Sequence, residues 1–305
     1  MSPLEDPFRD LGEVSVRGGA LRVARAGPPP GEADAVVLAV HGITSSHMAW
    51  RTIARELVSR AGVCMLAPDL RGRGGSATLP GPYGMASHVT DLIGVLDDAG
   101  VERVVLAGHS MGAYVVARLA AEHPERAAAV VLLDGGLSIP IPPDQDPDKV
   151  LAAVVEQSVA RLQVTYASAD EYVGLWRAHP ALLQQWNDDV DAYARYDVSG
   201  EPGNMRCVVS EAAVVADCAD LVHDETTRTA VDRVHAPIDL LRAPRGLFDG
   251  EPLLPDPVLA AFRAVHPRAR IEEIAGVNHY TLALGAGPGP RRVAAVIEAV
   301  VGHWP

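Results

Sequence analysis

The chain has 305 residues and 39 Asp+Glu against 26 Lys+Arg, a formal charge of −13. An acidic balance without a Lys/Arg cluster excludes the basic footprint of a nucleic-acid binder. With 48% hydrophobic and 21% charged residues, wholesale disorder is excluded too. A chain of this length buries about three quarters of its unfolded surface and needs neither disulfide nor metal to hold a core. Lys149 is its only lysine, so almost all the positive charge is arginine.

Three cysteines, Cys64, Cys207 and Cys218, are odd in number and show no CxxC pairing, as expected of reduced thiols in a cytoplasmic protein. The first residues lack the basic and apolar regions of a signal peptide. No apolar run approaches the 18 residues that span a membrane. A soluble protein with no nucleic-acid or membrane partner is expected.

Along the chain, residues 14–25 alternate apolar and polar around Gly18-Gly19, which predicts a β-hairpin. Pro28-Pro29-Pro30-Gly31 then punctuates the chain. Short apolar runs follow at 36–40, 63–67, 104–107 and 130–133, separated by helix-compatible stretches near 48–60, 86–99 and 111–123. This alternation predicts an α/β fold with a mostly parallel sheet and right-handed crossovers. Residues 137–149 are rich in Pro and Asp and read as a linker. Residues 150–230 read as mostly helical, without buried strand runs. The β/α rhythm resumes at 238–241 and 270–274 and ends in a helix over about 290–301. One domain, 1–136 with 232–305, is therefore expected to be interrupted by a helical cap, 137–231.

The strongest chemical signal is Gly108-His109-Ser110-Met111-Gly112, directly after one apolar run and directly before a helical stretch. That is the setting of a G-x-S-x-G nucleophile elbow, where a tight strand-to-helix turn raises a serine above the sheet. The serine then stands at a helix N-terminus, where unbonded N–H groups favour developing negative charge. His41-Gly42 ends the run at 36–40 and can aim a following N–H into the same site.

These motifs, with Asp69-Leu70-Arg71-Gly72-Arg73-Gly74-Gly75-Ser76 and Asn278-His279-Tyr280, make the chain resemble the α/β-hydrolase fold superfamily, of the kind with a cap inserted after strand 6. The resemblance covers about 35–136 and 236–303. It implies Ser110 as nucleophile, His279 as base, and the N–H groups of Ile43 and Met111 as the oxyanion hole. It implies a structural role for the segment 69–76. Epoxide hydrolases and haloalkane dehalogenases resemble the chain too, but place Asp where Ser110 stands.

The chain order Ser, acid, His leaves two candidates for the acid. Asp249 follows the run at 238–241, though by a longer loop than many relatives show, and is the expected acid. Asp134, ending the run at 130–133, is its rival. Residues 166–196 hold six of the 14 aromatics, and Trp176, Trp186, Trp50, His41 and Gly42 are candidates for substrate binding. His109 is expected to line or support the pocket, and His47 and His88 to lie at the surface or pocket rim.

The function expected is serine hydrolysis of an apolar carboxylic ester or lactone through an acyl-enzyme, with no cofactor and no metal. A C–C bond or thioester hydrolase, or a biosynthetic enzyme of cyclisation or elimination, remains the alternative. A non-enzymatic small-molecule receptor is the reading from another class, and an intact Ser, His and acid set argues against it. A homodimer is compatible with the sequence.

Overall fold

A computed structural model describes residues 6–59, 62–138 and 144–302; part of the expected linker at 137–149 lies outside them. The chain opens with a β-hairpin, β1 (Phe8–Val16) and β2 (Gly19–Ala26), turning at the glycine pair read from the sequence. β3 (Ala35–Val40), α1 (Arg51–Val58), β4 (Val63–Pro68), α2 (Met85–Asp98), β5 (Val104–His109), α3 (Met111–Glu122) and β6 (Ala127–Leu133) then alternate. Every residue of β3, β4 and β5 is buried. Strands covered on both faces read as continuous apolar runs, which is why the sequence marks them clearly. Each Val or Leu so buried contributes about 1.5–3 kcal/mol before the entropy of ordering is counted.

The segment after β6 carries α4 (Pro147–Val159), α5 (Ala169–Arg177), α6 (Asp188–Tyr196), a ribbon of β7 (Val198–Glu201) and β8 (Asn204–Cys207), α7 (Glu211–His223) and α8 (Glu225–Arg228). Beside its helices this segment also holds an antiparallel ribbon, which the sequence reading did not mark. Its strands have four residues each and are largely exposed, so no apolar run announces them. β9 (Ile238–Arg242), α9 (Asp256–Val265), β10 (Arg270–Glu273) and α10 (Pro288–Gly302) complete the chain.

The eight-stranded sheet has the order β1-β2-β4-β3-β5-β6-β9-β10, and every neighbour pair from β4 to β10 is parallel. Because parallel strands end on the same side, the loops after β3, β5, β6 and β9 share one edge, where α/β folds bind ligands. The inserted segment docks on this body through buried polar contacts. Asp189 of α6 accepts from Thr52 Oγ1 at 2.7 Å and from Arg55 Nη1 and Nη2 at 2.6 and 2.8 Å. The Tyr196 hydroxyl donates to Asp69 at 2.7 Å. No helix among the described residues is long and apolar enough to cross a membrane.

Candidate active site

Ser110 joins β5 to α3 with φ 56° and ψ −123°, strained angles for a residue with a side chain. The turn is tight enough that a Cβ at Gly108 would lie 2.3 Å from the Gly112 carbonyl oxygen, and one at Gly112 would lie 2.1 Å from that of Val40. Glycine at both flanks is thus a steric requirement of the elbow. The Ser110 N–H donates to the Leu133 carbonyl at 2.9 Å, tying the turn to the end of β6. Met111 is the first residue of α3, so its N–H has no acceptor within the helix.

His279 lies in the loop between β10 and α10 and is 2% exposed. Its Nδ1 is 2.8 Å from Asp134 Oδ2. Asp134 directly follows β6, has φ 47°, is 1% exposed, and accepts from the Ala243 N–H through Oδ1 at 3.1 Å. The contact expected between His279 and Asp249 is therefore not made. Asp249 pairs with Arg245 at 2.7 Å and accepts from Asn278 Nδ2 at 2.9 Å. The long loop after β9 carries it away from the imidazole, whereas Asp134 stands on a strand end next to the elbow. Asp249 supports the His279 loop at one remove, because Asn278 precedes His279 and also donates to the Ala181 carbonyl of the inserted segment at 2.9 Å.

His109 buttresses the same loop. Its Nε2 donates to the His279 carbonyl at 2.9 Å, with the rings 4.7 Å apart. Burial, then the neighbouring His279, lowers its pKa to about 3, so it is neutral at ordinary pH.

Gly42 packs against Ser110: a Cβ there would lie 3.2 Å from the Ser110 Cβ. The Gly42–Ile43 peptide holds the Gly42 carbonyl and the Ile43 N–H on opposite sides of a trans plane. His41 Nδ1 donates to that carbonyl at 2.8 Å and the Ser45 N–H donates to it at 3.2 Å. The Leu70 N–H donates to His41 Nε2 at 3.0 Å, which fixes the neutral tautomer. The Ile43 N–H therefore faces away from the His41 ring.

His41 is completely buried with both nitrogens engaged, which corrects its expected role in binding substrate. Burial lowers its pKa from 6.5 to about 4, against the opposing pull of Asp69. The unfolded chain thus binds a proton that the folded ring refuses. The stability associated with neutral His41 is whole above the unfolded pKa and is lost as pH falls through 4, by about 3 kcal/mol in total. Urea unfolding followed from neutral to acid pH is expected to show this decline, and a His41→Gln variant a shallower one.

Trp50 is also corrected as a substrate contact: it has no exposed surface and packs in the core, because the turn at 47–50 directs its ring inward. His47 and His88, expected near the surface, are buried and bonded to Asp69 and Asp217 respectively. Trp176 is linked to His279 through one intervening ring. It meets Tyr280 edge-on at 5.8 Å, and Tyr280 meets His279 at 5.7 Å. Tyr193 and His179 join the cluster through Trp176. Trp186 instead stacks beneath the Arg177 guanidinium at 5.0 Å. Sequence reasoning missed Arg161, whereas Tyr193 stood among the aromatics of 166–196 and Tyr280 in the Asn278-His279-Tyr280 motif. An arginine among many carries no such signal.

The family model for the alpha/beta hydrolase fold matches residues 35–177. A solved structure of E-2-(acetamidomethylene)succinate hydrolase superposes over 96% of this chain and 98% of its own, with a TM-score of 0.75 and 19% identity. The chain has the α/β-hydrolase fold. Among curated relatives, epoxide hydrolase A of Mycobacterium tuberculosis is 39% identical over 43% of this chain and 41% of its own. Lipase LipV of the same organism is 33% identical over 51% of this chain and 56% of its own. The chain spans about half the length of these curated relatives.

Proposed function

We propose that this protein is a serine hydrolase of carboxylic esters or lactones, with Ser110 as nucleophile, His279 as base and Asp134 as acid. The reading is carried by one observation: a serine on a strained strand-to-helix turn is tied through its N–H to Leu133, and the next residue, the buried Asp134, meets the buried His279 imidazole. His279 Nε2 takes the Ser110 proton as Oγ attacks the acyl carbon. Asp134 holds the tautomer and stabilises the imidazolium. The N–H groups of Ile43 and Met111 receive the oxyanion. His279 then protonates the departing alcohol, and water, deprotonated by the same ring, hydrolyses the acyl-enzyme.

The relative named a lipase fits acyl chemistry. Epoxide opening does not transfer, despite the name of the other relative. A serine attacking an epoxide carbon forms an ether, which water does not cleave. Attack on an acyl carbon forms an ester, which water does cleave. The segment 137–231 acts as a cap in this reading, and its aromatics Trp176 and Tyr193, with Tyr280, favour an apolar acyl or ring group. Treatment with a fluorophosphonate is expected to add one label, at Ser110, and to abolish turnover of a p-nitrophenyl acyl ester. A protein that stays unlabelled, or a Ser110→Ala variant that keeps its turnover, refutes the assignment.

A further inference from the structure

Three successive carbonyls of the loop after β3 are each held by a side chain. His41 donates to that of Gly42 at 2.8 Å, Arg73 Nε to that of Ile43 at 2.9 Å, and Arg161 Nη2 to that of Thr44 at 2.8 Å. His41 and Arg73 belong to the sheet body. Arg161 follows α4 in the inserted segment, more than a hundred residues away in the chain. Its other edge is anchored within that segment: Nη1 meets Asp197 Oδ2 and Cys207 Sγ at 2.7 and 2.9 Å and also donates to the Tyr172 hydroxyl. Its guanidinium lies 5.2 Å from the Trp176 ring centre. Tyr193 hydrogen-bonds Ser45, the next residue of the loop. Burial opposes the Arg161 charge, but Asp197, Tyr172, Cys207 and Tyr193 together outweigh it and keep the group protonated.

We propose that Arg161 is a positioning residue for the oxyanion hole, through which the inserted segment sets the orientation of the 42–45 loop. The proposal rests on the acyl-transfer reading above. A guanidinium suits the task because its planar fork spans Asp197 and the Thr44 carbonyl at once. A lysine ammonium has one nitrogen and is drawn to the carboxylate. It would keep the buried charge paired while releasing the loop.

Arg161→Lys is therefore the informative variant, tested in the full chain on a p-nitrophenyl acyl ester. The expected result is a loss of about tenfold to a hundredfold in kcat, with KM little changed. The rate of fluorophosphonate labelling at Ser110 and the affinity for a boronic acid, which forms a tetrahedral adduct, should fall in parallel. A merely structural role would move the thermal midpoint and leave these per-molecule quantities alone. If the lysine variant does not fold, the pair Arg161→Met with Asp197→Asn removes both charges and carries the same expectation. Unchanged kcat and labelling rate overturn the proposal, as does a rise in KM alone, which would make Arg161 a substrate contact. A parent protein that neither labels nor turns over ester overturns the acyl-transfer reading itself, and this proposal with it.

Discussion

Asp134→Asn is expected to lower kcat by about 10⁴-fold on an acyl ester, the loss typical when the carboxylate behind a catalytic imidazole becomes an amide. The change preserves shape but presents an N–H₂ group or a neutral carbonyl to His279 Nδ1. The ring then takes the wrong tautomer, or loses the charge that stabilises its protonated form. Asp134 has no slack to compensate, since its other oxygen is held by the Ala243 N–H and its side chain is buried. Asp249→Asn is expected to keep activity within about tenfold, because the asparagine oxygen still accepts from Asn278 and only the half-exposed pair with Arg245 is weakened. Steady-state kinetics of the two variants side by side decide the matter. Full activity in Asp134→Asn would sink the assignment.

Asp217→Ala is expected to be the most damaging change to stability outside the elbow. This carboxylate, on α7, is completely buried; it pairs with Arg73 and His88 and accepts from the Gly84 N–H at 3.0 Å. Its removal leaves the buried Arg73 cation without its carboxylate, which costs about 3–5 kcal/mol. The urea midpoint should fall accordingly at neutral pH. Burial pushes the Asp217 carboxyl up, but His88 and Arg73 together pull it from 3.8 down to about 2. Its contribution is therefore whole above pH 3.8 and is lost as pH falls through 2, so parent and variant should converge in strong acid. A midpoint unchanged at neutral pH would show that the buried ion pair contributes nothing. Arg73 also holds the Ile43 carbonyl, so some activity should go with the stability.

The sheet was readable because each interior strand is buried on both faces, and the elbow because its glycines are demanded by contacts within a few residues. Ser110 and the 41–43 loop follow from those local signals, and His279 from chain order and its place after the last strand. The partner of His279 does not. Asp134 and Asp249 both lie between serine and histidine in the chain, both follow strands that pair directly, β6 and β9, and both have positive φ. Only the path of the loop after Arg242 separates them, and its course depends on contacts with the distant 276–279 turn. The ribbon of β7 and β8 escaped notice for a related reason: four-residue, exposed strands carry no periodicity. Trp50, His41, His47 and His88 show the converse error. Residue type suggested contact with substrate or solvent, but burial depth is set by tertiary packing.

The sheet order has a bearing on how the protein comes apart. β5 and β6, which carry Ser110 and Asp134, are interior strands hydrogen-bonded to each other and to further strands on their outer sides, β3 and β9. The imidazole instead follows β10, the edge strand. Native-state amide exchange should therefore find the amides of β5 and β6 opening only with the whole molecule, and those of β10 and the 274–279 turn opening earlier. Under mild denaturant the His279 imidazole should detach while Ser110 and Asp134 are still in register, so that, on the proposed acyl-transfer function, loss of turnover precedes loss of the fold.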